Sequence, residues 1–343
     1  MIDGHGINAR TAYINPAMNE HSPPPPAERD RRTVMLVRLR HALEALIAVA
    51  LLSGAAWVLH REFSNVRLAD VIEEFGKLSN VGIAWSIAFT VSSYMALLVY
   101  ERLGIAYAHA RVSPVRSAVG GFCAFVFSHN LGFALLTGGS ARLRLYSPAG
   151  VSVGQIVLIS GFTAWTFCLG AALVAGVTMF GEAERISRLI GGPPLVAHAA
   201  GAALLLALIA YLVFGMKHRE VEWRGRRLTT PGPILTPLQI VVPAIDIALA
   251  ALALYVLLPV MPIGPVGFVG VYVVATSIGL ASHVPGGLGV FEGAMVLMLP
   301  ELPMEPLIAA MLAYRLIYYL GPLALATTLF AGSSLRKSRY RSR

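Results

Sequence analysis

Charge is what this sequence has least of: only 13% of its 343 residues are Asp, Glu, Lys or Arg. A soluble globular chain carries about a quarter. With 56% hydrophobic residues and a mean hydropathy of +0.69, the composition excludes water as the main solvent. Acidic residues are the scarcer sign, 18 against 27 basic, and the formal net charge is +9. Nucleic acid is nevertheless excluded as a partner, because the basic residues stand at the ends of apolar runs rather than along one face. Cysteine is nearly absent. Cys123 and Cys168 lie in apolar stretches without metal-ligand spacing, and are expected to be small buried hydrophobes. No G-x-x-x-x-G-K-[ST] sequence occurs, which removes the usual nucleotide-driven motor. No His/Cys cluster offers a third metal ligand, so neither metal nor cofactor is expected. The first 38 residues are polar and contain the run Pro23 to Pro26; they read as a disordered tail rather than a cleavable signal peptide.

What is present is a series of apolar runs of about 20 residues, the length needed to cross about 30 Å of hydrocarbon as helix. They do not alternate in the manner of barrel strands. The expected fold is therefore an all-α polytopic membrane protein. Lys and Arg concentrate on cytoplasmic loops, so their positions orient the runs. Arg29, Arg31, Arg32, Arg38 and Arg40 precede the first span, about 41–60, and place the N-terminus in the cytoplasm. Residues 61–79 balance three basic against four acidic residues. Phe63, Val66, Leu68, Val71, Ile72, Phe75 and Leu78 recur there at roughly helical spacing, as in a helix lying in the interface. Span 80–100 returns to Arg102, Arg111 and Arg116. Spans 151–180 and 195–216 lead to Lys217, Arg219, Arg224, Arg226 and Arg227, again cytoplasmic, and spans 237–259 and 305–332 lead to the basic tail 336–343.

The parity of these crossings makes two apolar stretches informative. Residues 117–139 start after Arg116 and end before Arg142, both cytoplasmic, so this stretch enters and leaves by one face. Ser128, His129, Asn130 and Gly132 suit the bend of a re-entrant hairpin surrounded by protein. The same count makes 265–299 a second hairpin, entering from outside, with Ser282, His283, Pro285, Gly286 and Gly287 at its centre. The expectation is six full spans plus two re-entrant hairpins, arranged as an inverted repeat about a midplane site. The domain division is a tail at 1–38, a transmembrane domain at 39–335 and a tail at 336–343.

Few charges fall inside this layout. Asp246, Glu292 and Arg315 would each cost about 2.5–3.5 kcal/mol at a helix centre, so each should face a polar cavity or one another. Arg315 shares a helix face with Tyr318, Tyr319 and Pro322. Glu292 follows Gly286, Gly287 and Gly289, where backbone approaches a ligand closely. The bland alternative is that Arg315 pairs with Asp246 or Glu292 and only holds the bundle together. Glu44 and Glu101 stand nearer span ends and are expected to snorkel. His129 and His283 read first as hydrogen-bonded helix breakers. In TGGSARLRLY, residues 137–146, the backbone of Gly138 and Gly139 with Ser140, Arg142 and Arg144 suits a phosphate at headgroup level. A plain positive-inside anchor is the alternative.

Three of these stretches resemble the transmembrane flippase domain of the lysylphosphatidylglycerol synthase/flippase family, also called multiple peptide resistance factor. They are SHNLGFALLTGGSARLRLY (128–146), ASHVPGGLGVFEG (281–293) and AYRLIYYLGP (313–322). With Glu101, Arg102 and the span holding Asp246, the resemblance covers about residues 40–332. It implies movement of phospholipid between leaflets and resistance to cationic peptides. It implies functional positions at Glu101, Arg142, Arg144, Asp246, Glu292 and Arg315. The sequence departs from the family at 101, where Asp is expected, and at His129, where a small or amide side chain is. Family synthases continue into a soluble aminoacyl-transfer domain; this sequence ends at Arg343, so no transferase activity is assigned.

The leading reading is a translocase of the cytoplasmic membrane acting on an anionic or aminoacylated phospholipid. Arg142 and Arg144, with Ser140, Gly138 and Gly139, receive the headgroup. Glu101, His129, Asn130, Asp246, His283, Glu292 and Arg315 line the path. Two rivals stand beside it. One is a membrane transferase or accessory protein for another lipid, such as a hopanoid or glycosylated carrier. The other is a structural partner recruiting a separate synthase through 217–236 or the tail. Self-association is a further expectation.

Overall fold

The computed structural model describes residues 68–341, apart from 132–133, 218–219, 224–225, 260–261 and 283. The expected N-terminal tail, the first span with Glu44, and His283 lie outside the described residues, as do the side chains of the basic C-terminal segment.

The chain is a multi-pass helical membrane protein. Its elements run α1 (Leu68–Gly76), α2 (Asn80–Tyr107), α3 (Pro114–Leu131), α4 (Ala134–Tyr146), α5 (Val153–Gly181), α6 (Ala183–Ile190), α7 (Pro194–Met216), a two-stranded antiparallel hairpin of β1 (Glu220–Trp223) and β2 (Arg226–Thr229), α8 (Gly232–Tyr255), α9 (Pro265–Ala281), α10 (Val290–Met298), α11 (Met304–Tyr314) and α12 (Gly321–Arg341). A 3-10 turn at Pro285–Gly287 precedes α10, and a π-helical turn at Arg315–Leu320 joins α11 to α12. Among the described residues, five stretches are long and apolar enough to cross a membrane: α2, α5, α7, α8 and Met304–Gly332. The shortest, 23 residues, is about 35 Å long at 1.5 Å per residue. These are five of the six expected spans. The small β hairpin between α7 and α8 is an addition that charge counting did not anticipate.

Residues 68–76 form the expected short helix. Val71 is buried, while Ile72 and Phe75 stay exposed, the division of faces that an interface helix needs. At the start of α5 a capping box closes the chain end: Gln155 N donates to Ser152 Oγ (3.2 Å) and Ser152 N to Gln155 Oε1 (3.0 Å). The Gln155 amide also reaches the Ala108 carbonyl (3.2 Å) and fastens α5 to the end of α2.

Both expected hairpins are formed. In the first, Gly120 of α3 packs on Tyr146 of α4, and Gly138 of α4 packs on Ser128 and Ala124 of α3. The residue numbers rise on one helix as they fall on the other, so the pair is antiparallel. With 18 and 13 residues, the arms are about 27 and 20 Å long, short for full spans. In the second, α9 and α10 fold back across the Pro285–Gly287 turn, bringing Gly287 and Phe291 against Gly279 and the Phe291 ring 5.8 Å from that of Tyr272. Gly286 and Gly289 hold φ of +62° and +76°, left-handed conformations that side-chain-bearing residues adopt at a cost. The α10 arm has only 9 residues and stops well short of a crossing.

The centre of the bundle is α2 against α8, running antiparallel with Gly82 opposite Val256 and Ser93 opposite Asp246. A Cβ at Gly82 would lie 2.6 Å from the Val256 carbonyl oxygen, so glycine sets the approach. Pro237 and Pro243 stand inside α8, each removing a helical N–H; Gly170 of α5 accepts the Pro243 ring at the same level.

Candidate functional site

The two hairpin tips meet. The tip of the second, at Gly286, lies against the backbone carbonyls of His129 and Asn130 at the end of α3. Asn130 Nδ2 donates to the Val126 carbonyl (2.9 Å) and reaches the Tyr319 carbonyl (3.5 Å), fixing that end. Beside the junction opens a cavity of about 570 Å³, in the size range of small-molecule pockets. Tyr100, Phe125, His129, Arg142, Ser160, Asp246, Tyr272, Gly286, Tyr318 and Tyr319 are among the residues lining it. Much of the rest of the lining is apolar, with Phe167, Ile247, Val273, Leu280 and Phe291 among it, so the space offers an apolar wall with polar groups gathered at Asp246, Arg142 and the tyrosines.

Asp246 sits at this cavity with 5% of its surface exposed. Ser93 Oγ donates to Oδ1 at 2.5 Å and Tyr100 OH donates to Oδ2 at 2.8 Å. Ser93 Oγ is also 2.8 Å from Tyr318 OH, while Tyr94 OH donates to the Tyr318 carbonyl (3.1 Å). Among the described residues, no cation pairs with this carboxylate. Two hydroxyl donors, both from α2, position the charge but do not neutralise it.

Glu101 is the sharpest departure from the sequence reading. Expected to snorkel from a span end, it is fully buried and bound to Arg142, which is 3% exposed. Arg142 Nε and Nη2 reach its two oxygens at 2.9 and 2.6 Å, and Tyr146 OH donates to Oε1 at 2.9 Å. The remaining Arg142 nitrogen reaches Ser160 Oγ at 3.3 Å. Gly121 makes the space: a Cβ there would lie 2.7 Å from Glu101 Cγ. Sequence spacing could not show that the C-terminal half of α4 would fold back to α2.

Arg315 resolves the alternatives left for it. It pairs with Glu292, not with Asp246, and its Nη1 donates to the Gly286 carbonyl at 3.0 Å. Its guanidinium lies 5.3 Å from the Tyr319 ring centroid, the expected i, i+4 neighbour. Tyr318 instead turns to Ser93, because the π-helical turn shifts the faces that follow. Glu292 in turn accepts from Gly289 N (2.8 Å). The arginine thus ties the glycine turn of the second hairpin to the helix after it.

Other expected residues lie elsewhere. Gly138 and Gly139 are inside helix α4, with their N–H groups directed along the helix, so the expected backbone nest is not formed. Arg142 is buried at the cavity, whereas Arg144 is exposed and stacks 4.6 Å from the Phe330 ring centroid. Ser140 is exposed. His129 lines the cavity and its buried Nδ1 has no hydrogen-bond partner, so it is not the satisfied helix breaker expected. Cys123 is buried, but Cys168 is exposed and borders the cavity, contrary to the reading of both as buried. The sequence reading missed Ser93, Tyr100, Ser160 and Tyr272. Its one available signal was the polar spacing of α2, where Ser93 and Tyr100 stand seven residues apart, two turns, in an apolar span.

No family model matches the chain. Several curated proteins are similar to it, among them the following three. The uncharacterized protein slr0712 of Synechocystis sp. is 29% identical over 309 residues, covering 89% of this chain and 96% of that protein. The inner membrane protein YbhN of Escherichia coli is 26% identical over 275 residues, or 79% of this chain and 81% of YbhN. A phosphatidylglycerol lysyltransferase of Staphylococcus haemolyticus is 24% identical over 318 residues, covering 88% of this chain but 35% of the lysyltransferase. The chain thus spans about a third of the lysyltransferase. These matches indicate a membrane protein distantly related to the lysyltransferases and to YbhN.

Proposed function

We propose that this protein is a lipid translocase of the cytoplasmic membrane, moving an anionic or aminoacylated phospholipid headgroup through the cavity between the two hairpin tips. The observation that carries the reading is the charge arrangement there. Arg142 and Arg315 are each matched by a glutamate, and Asp246 is left as an uncompensated carboxylate. An ammonium on the headgroup would complete that arrangement. A phosphate would share Arg142 with Glu101, since charge-assisted contacts to a guanidinium are strong and exchangeable. The tyrosines supply hydroxyls and ring faces along the way, and ring faces attract ammonium groups.

The distant relation to a phosphatidylglycerol lysyltransferase supports lysylphosphatidylglycerol as one cargo. Peptide resistance would follow from moving such a lipid outward. Amino-acid transfer belongs to that relative's full length, of which this chain spans a third. A second reading, handling of another lipid such as a hopanoid or glycosylated carrier, is favoured by the near full-length similarity to slr0712 and YbhN, whose names specify no lysyl chemistry. The basic loops favour cytoplasmic N- and C-termini.

The test is translocation of fluorescent phosphatidylglycerol and lysylphosphatidylglycerol by purified protein in vesicles, read by quenching of the outer leaflet. Asp246→Asn keeps the shape and removes the charge. It is expected to slow the aminoacylated lipid at least tenfold and the plain anionic lipid less. Equal rates for the variant and the natural protein would remove Asp246 from the path; no movement of either lipid would overturn the reading.

A further inference from the structure

Asp246 meets the headgroup cavity on one side and, on the other, a seam between α2 and α8. The buried face of the first half of α2 consists of Gly82, Ser86, Thr90 and Ser93, spaced four, four and three residues apart and therefore stacked along one line. Ser86 is 0% and Thr90 5% exposed, and neither hydroxyl has a hydrogen-bond partner. That is unusual here. Ser92, Ser128 and Thr178 each donate to the carbonyl four residues earlier, at 2.8, 2.7 and 2.8 Å. Ser86 and Thr90 instead forgo this local bond. The stretch of α8 opposite them carries the buried Ala250 and Ala253, which offer no polar atoms. Two orphan hydroxyls inside a membrane protein are costly unless something unseen satisfies them, and a buried water is held by about two to four such polar partners where the packing leaves space for it.

We propose that the Ser86–Thr90–Ser93 seam holds ordered water and delivers protons from the N-terminal end of α2 to Asp246, separately from the headgroup cavity. The distance suits this: from Ser86 to Ser93 is about 10 Å along the axis, and from the exposed Asn80 about 20 Å. Ser93 is the last link, already donating to Asp246 Oδ1. It passes its own proton to the carboxylate and regains one from the water above it, so only O–H bonds form and break. The other titratable groups around Asp246 come from several elements. From α2 these are Tyr100 and, six residues earlier, Tyr94; from the π turn, Tyr318; from α9, Tyr272. Across the cavity stand His129 and, on α5, Cys168, while Arg142 is held by Glu101. On α7, Tyr211 is turned away to Gln239. The proposal deepens the translocase reading by giving its carboxylate a proton to exchange with a cationic headgroup, but its test needs no cargo.

The experiment compares the natural protein with Asp246→Asn and with a Ser86→Ala, Thr90→Val double variant in vesicles of phosphatidylglycerol and phosphatidylethanolamine. Infrared difference spectra follow carboxyl protonation after a pH jump. A titrating carboxyl band absent from Asp246→Asn is expected, and in the double variant it should equilibrate at least tenfold more slowly. Thermal stability of the double variant should be unchanged or higher, because no protein–protein hydrogen bond is lost. If Ser86→Ala lowers stability, Thr90→Val alone, which keeps the shape, carries the test. Equal rates in the double variant, absence of the band, or a rate that requires sodium rather than choline in the buffer would each overturn the proposal. Lipid that fails to move while the proton kinetics hold would overturn only the translocase reading.

Discussion

Glu101–Arg142 and Glu292–Arg315 are the same chemical pair in two settings. The first has 0 and 3% of its side-chain surface exposed, and the second 16 and 13%. Glu101 has both oxygens held by one guanidinium and a third donor in Tyr146; Arg315 divides itself between Glu292 and the Gly286 carbonyl. The first pair joins α4 to α2 in a buried contact that borders the cavity only at Arg142. The second fastens a turn whose glycines already hold left-handed backbone. Burial makes the first a fixed post, whereas the second has fewer and more accessible contacts and sits where a hairpin would hinge. If the protein moves lipid as proposed, the accompanying motion should concentrate in the second hairpin.

The comparison can be broken most directly at Arg142. Arg142→Met leaves Glu101 buried without a partner and should cost about 3–5 kcal/mol, read as a loss of thermal stability in detergent. Adding Glu101→Leu should recover most of it, because a buried pair replaced together is close to neutral. A single variant as stable as the natural protein would end the view of this pair as a post. At the second pair, Arg315→Gln should cost less, about 1.5–3 kcal/mol, the range for hydrogen bonds to charged groups. Its larger signature should be faster hydrogen exchange in 284–292 than in 126–131. Equal exchange in both tips would remove the asymmetry. The smallest effect belongs to Arg144, which is exposed above Phe330. Arg144→Gln should change stability by under about 1 kcal/mol. Any loss of lipid movement in that variant would restore it to the headgroup path from which its position in the structure separates it.

Much of the fold was legible because the bilayer leaves few options. Apolar length named the spans from 80 onwards to within seven residues at either end, and the parity of Lys and Arg pointed to both hairpins. Three glycines within four positions, Gly286, Gly287 and Gly289, marked the second turn. The intramembrane charges were visible for the same reason, since Asp246, Glu292 and Arg315 stand out against apolar neighbours. Of their partners, only Glu292 for Arg315 stood among the alternatives read from the sequence. Glu101 and Arg142 are 41 residues apart, and Ser93 and Asp246 are 153 apart; no local spacing encodes such contacts. Ser140, Arg142 and Arg144 looked like one anion site because they are close in sequence, but α4 is a helix, and two residues of helix turn a side chain by about 200°.

What the sequence determined by itself is the solvent: a chain this apolar and this poor in charge must satisfy its backbone within helices, and its few buried charges must answer to one another. Tertiary structure alone decided which charges were answered. Glu101 and Glu292 each found an arginine, because glycine at Gly121 and the turn at Gly286 let the chains approach. Asp246 received only hydroxyls, because its helix packs against the serine and tyrosine face of α2. Pairing in a low-dielectric interior depends on ångström-scale distances, and those are set by packing rather than by order along the chain.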